Sequence, residues 1–302
     1  MRIVFLGTPD FAIPSLRILI ESSHEVVAVV TAPDKERGRG RKISYTAVKE
    51  FALKNNLPVL QPDKLKGQDF INDLKKLDSD VFVVVAFRIL PKEVFTIPSK
   101  LSFNLHASLL PKFRGAAPVQ WALIKGEYQT GVTTFALEEK VDTGNVIIQE
   151  KIDIDPRDNF GSLHDKLSEL GAGVVLQTVN IIENGAIKFE KQNNALATPA
   201  PKITKEIAQI DWNKSAEEIH NLIRGLSPYP GAYFEFSNKI IKVYKSEISE
   251  EFPGKNLSAG EIYHDKSKLL VGCGKNLLSL LELQQEGKNK LSAEEFLRGF
   301  RF

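Results

Sequence analysis

The sequence is poor in the residues that several common chemistries require. It holds a single cysteine, Cys273, in 302 residues. One thiol closes no internal disulfide and builds no thiolate zinc site, which fits a reducing compartment. The five histidines form no cluster with Cys, Asp or Glu at metal-ligand spacing, so no metal is expected. Nucleotide fingerprints are missing as well. Gly7-Thr8-Pro9-Asp10-Phe11 stands where a dinucleotide site would show G-x-G-x-x-G, and the second and third glycines are absent. Gly38-Arg39-Gly40 has half of that pattern but opens no helix, and no G-x-x-x-x-G-K-[ST] occurs. No apolar run reaches the ~18 residues that a membrane span needs. Residues 1–7 read as a strand and lack the features of a secretory leader, so the expected location is the cytoplasm. Excess charge of one sign is lacking too. Forty Lys and Arg stand against 38 Asp and Glu, so any contact with nucleic acid must come from where the charge sits.

What is present is enough for packed cores. The chain is 42% apolar and long enough for two domains. Residues 2–6 form a short apolar run ending at Gly7; Thr8 and Pro9 offer an N-cap and a first-turn proline for a helix over 11–20. Strand-like runs at 25–31, 80–87, 101–106 and 130–136 alternate with helical patterns at 46–54, 119–124 and 162–182. This alternation predicts an α/β domain with a Rossmann-like, mostly parallel sheet. The strands are apolar throughout rather than on alternate residues, so both faces should be covered. At 191–205 the composition shifts to KQNNALATPAPKITK, a linker pattern. Beyond it, capping boxes at Ser215/Glu218 and Ser292/Glu295 open two helices. Between them, short strand candidates at 232–236, 239–245, 260–263 and 269–271 predict a small OB-like β-barrel. The expected organisation is a catalytic domain over 1–189, a linker over 190–206 and a barrel domain over 207–302.

The densest chemical signal is NLHASLLPKFRGAAP at 104–118. Asn104 and His106 lie two apart at the end of a predicted strand, so period-two alternation places both side chains on one face. In open α/β sheets ligands bind at the carboxyl ends of the strands. Taken alone, a histidine there is more often structural than catalytic, and Asn104 could cap a turn. Asp142, in Val141-Asp142-Thr143-Gly144, reads by itself as ordinary turn chemistry, with Gly144 giving the loop freedom.

The run NLHASLLPKFRGAAPVQWAL closely resembles the signature of the folate-dependent formyltransferases. GTPDFA, TAPDKERGRGRK, VDTG and IDWNKSAEEIHNLIRGLSPYPGAY are also similar to that family, so the resemblance covers nearly the whole chain. It implies an active site of Asn104, His106 and Asp142. It implies 10-formyltetrahydrofolate as co-substrate, with the folate pocket at Phe87, Leu90, Ser108, Leu109, Leu110 and Pro111. Many members carry a Tyr-Gly-Leu-like turn where this chain has Phe87-Arg88-Ile89 and is one residue shorter. That leaves two roles open for Arg88, a new contact or a solvent-facing side chain.

Residues 35–42, KERGRGRK, carry five basic side chains, one acidic one and two glycines. Such a run is commonly a solvated loop, but it could also contact phosphate. The resemblance implies that it enters the acceptor end of initiator methionyl-tRNA, through Arg39 and, in support, Lys42. Lys188, Lys191, Lys202 and Lys205 would extend the positive track. A monomer is expected. Two other readings stand beside this one. A formyltransferase for an amino sugar nucleotide or other small amine would share Asn104, His106 and Asp142 but would not need the basic loop. A non-catalytic RNA-binding protein would not need all three.

Overall fold

The computed structural model describes residues 1–37, 42–249, 256–300 and 302. They form two compact units. One comprises Met1–Gly115, Thr130–Asp153 and His164–Pro199; the other comprises Ala116–Gln129, Ile154–Leu163 and Ala200–Phe302.

The first unit is built on a seven-stranded sheet. Its strands are β1 (Arg2–Gly7), β2 (Glu25–Val30), β3 (Val59–Leu60), β4 (Val81–Val85), β5 (Leu101–His106), β6 (Gln129–Ala136) and β7 (Val146–Asp153). Their order is β7-β6-β5-β4-β1-β2-β3. Pairings from β3 through β5 are parallel, and β6 joins β5 antiparallel. The sheet is therefore mostly parallel, as expected. Every residue of β4 is buried. Phe5, Phe82, Phe103 and Phe135, one on each of four adjacent strands, are fully buried. Burial of each such side chain contributes about 1.5–3 kcal/mol, which fixes the central strands firmly. The direction of winding reverses between β1 and β4, and in open α/β sheets ligands bind at such a switch point, here beyond Gly7 and Val85.

The first helix departs from its predicted start. A 3-10 turn at Asp10–Ala12 comes first, and the α-helix spans Ile13–Ile20. Pro9 is extended, and the Phe11 N–H is taken by Asp10 Oδ1 rather than by Thr8. Helix Ala47–Lys54 is capped by the Thr46 side chain, which accepts from the Lys49 N–H.

In the second unit, β8 (Ala232–Phe236), β9 (Lys239–Ser249), β10 (Ile262–His264), β11 (Leu269–Gly272) and β12 (Leu277–Gln285) pair antiparallel in the order β8-β9-β12-β11-β10. They make a half-barrel. Both capping boxes are formed, at Ser215/Glu218 and Ser292/Glu295. Strand β12 has no counterpart in the sequence reading. LLSLLELQQ puts leucines at helical spacing, and leucine favours helices. Pairing on both sides, with β9 and β11, overrides that preference. This unit also takes in helix Pro118–Ile124, which meets helix Ala216–Gly225 where Gly225 lies against Ile124 and the Gln120 carbonyl. Among the described residues no helix is long and apolar enough to cross a membrane.

Candidate active site

Strand β5 ends at the site. Asn104 sits opposite Val84 of β4 and Phe135 of β6, and His106, two residues on, sits opposite Thr133. The two are thus on the same face, as the alternation predicts. The Asn104 side chain is half-buried and has no hydrogen-bond partner among the described residues.

His106 is only 6% exposed. Its Nε2 lies 2.8 Å from the Phe113 carbonyl oxygen. A carbonyl can only accept, so Nε2–H donates and the neutral ring keeps Nδ1 as its basic nitrogen. Nδ1 faces Asp142 Oδ2 at 3.8 Å. That distance is longer than a direct hydrogen bond, and catalytic contacts of this kind often tighten only when substrate binds. Asp142 Oδ2 also accepts the Gly115 N–H at 2.8 Å. One short segment therefore fixes both groups, through the Phe113 carbonyl and the Gly115 N–H. It can do so because Phe113 (φ 59°) and Gly115 (φ 127°) turn through backbone regions that side chains disfavour.

The VDTG loop is held differently from the sequence expectation. Gly144 is not in the left-handed region; a Cβ there would collide with the Ala136 carbonyl oxygen. Close approach is what demands glycine. Asp142 itself is left-handed, at φ 54°. Gln192 secures that turn. Its Nε2 donates to the carbonyls of Asp142 (3.0 Å) and Gly144 (2.8 Å). Its Oε1 accepts from Arg114 Nε (3.1 Å) and Nη2 (2.6 Å), and Arg114 Nη2 also reaches Asn194 Oδ1 at 2.7 Å. Further along, Thr198 takes the Phe113 N–H on its hydroxyl and the Arg114 N–H on its carbonyl. Gln192, Asn194 and Thr198, read from composition as part of a linker, are thus bonded to the Phe113–Arg114 segment or to the Asp142 turn. Nothing in a polar KQNN run distinguishes Gln192 beforehand, because its partners are 48–78 residues away.

The proposed folate positions divide into two groups. Ser108, Leu110 and Leu90 are buried. The Ser108 hydroxyl donates to the Lys112 carbonyl, and the Ser108 carbonyl accepts from Thr133. The Leu110 N–H and carbonyl are taken by Thr133 and Gln149. Leu90 packs in a core cluster with Val84 and Phe82. These three are engaged within the protein. Phe87, Leu109 and Pro111 are partly exposed and can meet a ligand directly. Arg88 is not merely solvent-facing. Its Nη1 and Nη2 donate to the carbonyls of Asp63 (3.2 Å) and Pro62 (2.7 Å), and it lies over the Phe87 ring. It braces the segment after β4.

Arg39 lies outside the described residues, as does the side chain of Lys42. The strands that flank them, Lys35–Arg37 and Lys42–Ser44, pair antiparallel. The base of this hairpin is tied on both sides. Asp34 accepts from Lys49 Nζ at 2.5 Å and from Gln61 Nε2 at 2.8 Å, and Lys49 also lies 4.1 Å from the centre of the Tyr45 ring. The Gln61 amide, then Lys49, holds the Asp34 carboxyl below its ordinary value. Lys188, Lys191, Lys202 and Lys205 are all exposed. Among the described residues no group of three or more His, Cys, Asp or Glu is placed to hold a metal ion.

Comparison with known proteins agrees with the mixed α/β sheet and names its family. Residues 1–179 match the family model "Formyl transferase" and residues 202–301 match "Formyl transferase, C-terminal domain". A methionyl-tRNA formyltransferase of Caldanaerobacter subterraneus subsp. tengcongensis is 48% identical over 99% of this chain and 97% of its own. Two solved structures share the fold. A sugar 3N-formyl transferase, WlaRD, crystallised with dTDP and 5-N-formyl-THF, superposes with TM-score 0.71 at 22% identity, over 96% of this chain and 99% of its own. An N-formyltransferase from Helicobacter canadensis, in complex with folinic acid and dTDP-3-aminofucose, gives TM-score 0.67 at 22% identity, over 94% and 98%. The chain belongs to the formyl transferase family, among its methionyl-tRNA formyltransferases.

Proposed function

We propose that this enzyme transfers the formyl group of 10-formyltetrahydrofolate to the free amine of initiator methionyl-tRNA in the cytoplasm. The observation that carries the chemical reading is the disposition of His106. Its Nε2–H is committed to a backbone carbonyl, and its one basic nitrogen looks toward Asp142. The amine nitrogen attacks the formyl carbon, and a tetrahedral oxyanion develops. The Asn104 amide is free to donate to that oxygen; loss of one such donor typically costs about 2.7–4 kcal/mol of barrier. The attacking nitrogen must then lose a proton and the folate N10 must gain one as its bond to the formyl carbon breaks. His106 Nδ1, oriented by Asp142, is the group suited to carry that proton. Transfer is direct; no step needs a covalent enzyme intermediate.

The acceptor assignment rests on the close full-length relatives and on the basic hairpin at residues 35–44, with Arg39 and Lys42 contacting the tRNA acceptor end. Phe87, Leu109 and Pro111 line the face offered to the folate, backed by Leu90, Ser108 and Leu110. The test is a panel of acceptors with one formyl donor: charged initiator tRNA, charged elongator tRNA and an amino sugar nucleotide. Formylation of the initiator far above the other two is expected. Preference for the sugar would overturn the acceptor assignment, and turnover of none of them would overturn the enzyme reading of the site.

A further inference from the structure

We infer that Gln192, oriented by Arg114, is a positioning residue for the transfer reaction, acting through Asp142. The inference rests on the reading of Asp142 as the partner of His106. Four observations converge on it. Gln192 is buried, 7% exposed, although it lies in a run of exposed polar residues. All of its amide capacity toward this loop is in use: two donations go to the carbonyls of Asp142 and Gly144, which bracket the turn. The turn it brackets places a non-glycine residue, Asp142, in the left-handed region. And its amide orientation is set from the other side, because Arg114 can only donate, so Oε1 must face Arg114 and Nε2 must face the loop.

The consequence is a directed chain of contacts. Arg114 orients Gln192; Gln192 holds the Asp142 backbone; the Gly115 N–H, next to Arg114, aims the Asp142 carboxylate; and Asp142 faces His106 Nδ1 at 3.8 Å. Without the two Gln192 donors the Asp142 and Gly144 carbonyls lose their partner in a buried place. The turn is then free to relax toward ordinary φ values, which swings the carboxylate away from the imidazole. Misplacement by about 1 Å is enough to cost roughly 10²-fold in a reaction that depends on alignment. Because the effect runs through Asp142 and not through substrate contacts, it should fall on kcat and leave KM for both substrates nearly alone.

The experiment is a mutant cycle on the full-length enzyme. Gln192→Met removes both donors at similar volume. Gln192→Glu keeps an acceptor for Arg114 but also lacks the donors, and it serves if the Met variant folds poorly. Asp142→Asn is made alone and with each. Thermal melts and circular dichroism establish folding, and initial rates give kcat and KM for formyl donor and charged tRNA. The expected result is a fall in kcat of about tenfold or more for both Gln192 variants, with each KM within about threefold of wild type. Added to Asp142→Asn, either change should then cost less than about twofold, because the two residues act in series. Full additivity on top of a damaging Asp142→Asn would overturn the inference and leave the reading of Asp142 standing, as would wild-type kcat in a folded Gln192 variant. A neutral Asp142→Asn would overturn both, since nothing would remain for Gln192 to position.

Discussion

The first unit holds two carboxylates in place, and it holds them by different means. Asp142 is fixed by neutral dipoles: the Gly115 N–H on its oxygen and the Gln192 amide on its backbone carbonyl. Among the described residues no Lys or Arg pairs with it. Asp34 is fixed by a cation, Lys49, together with the Gln61 amide. On the proposed mechanism, the difference separates two jobs. A carboxylate held only by dipoles keeps its charge available to an imidazole that must gain and lose a proton. A carboxylate already paired with an ammonium has that charge largely answered, and it serves as a tie between chain segments, here the base of the basic hairpin.

The sharpest way to break this comparison is at His106. His106→Ala should lower kcat by about two to four orders of magnitude, the usual scale for a general acid–base. The loss should be equal for charged tRNA and for a small-amine acceptor, because the chemistry does not depend on the hairpin. Activity within a few-fold of wild type in steady-state assays would remove the catalytic half of the comparison.

Next comes Arg39. Replacing it with Ala should lower kcat/KM for charged tRNA by about tenfold or more, the value of a charge-assisted contact. Small-amine formylation should hardly change. If Arg39 reads a base edge, Arg39→Lys already weakens initiator discrimination, since Lys lacks the paired fork. If it only neutralises phosphate, Arg39→Lys is mild and Arg39→Ala lowers the salt slope by about one. Titrations over a range of salt decide between them.

Gly144→Ala tests the packing around Asp142 without removing a polar side chain. The new methyl would meet the Ala136 carbonyl oxygen, and the Phe135 ring lies behind it. Overpacking of this kind costs typically about 1–3 kcal/mol. For a unit of this size that lowers the melting temperature by roughly 2–4 °C per kcal/mol, readable by calorimetry. An unchanged melt with unchanged rate would show that the loop has slack and does not need its close approach.

The residues around Asp142 differ in how far the sequence reveals them. Asn104 and His106 are legible because period-two alternation at a strand end is a local rule, and strand Leu101–His106 falls where its apolar pattern puts it. The central sheet is legible for the same reason, since Val81–Val85 admits no polar face. Asp142 looks like turn chemistry, and the turn is real, but its left-handed φ lies at Asp142 and not at the glycine. Gln192 and Arg114 were invisible as a pair because only the fold brings residues 78 apart together. Strand Leu277–Gln285 was missed where local preference and tertiary pairing disagree. What escapes is long-range: registers, bracing amides and close backbone approaches.

The smallest expected effect is at the hairpin base, and it is the one that tests the division of labour most directly. Lys49→Met removes the ammonium from Asp34 and from the Tyr45 ring while keeping most of the aliphatic stem. The Lys49 and Asp34 side chains are 14% and 26% exposed, so solvent weakens the pair and a small effect is expected. The drop in kcat/KM for charged tRNA should be no more than about fivefold. Small-amine formylation should stay at wild-type level. The pH dependence follows from the direction of the Asp34 shift. Its carboxyl sits below its ordinary value when folded, so the tie contributes above the unfolded carboxylate value and is lost only as the pH falls through the folded one. Across the neutral range the ratio of tRNA to small-amine rates in wild type should therefore be flat. A Lys49→Met enzyme that lost both activities together would mean that the cation-held carboxylate supports the reaction site after all, and the two anchors would no longer be separable.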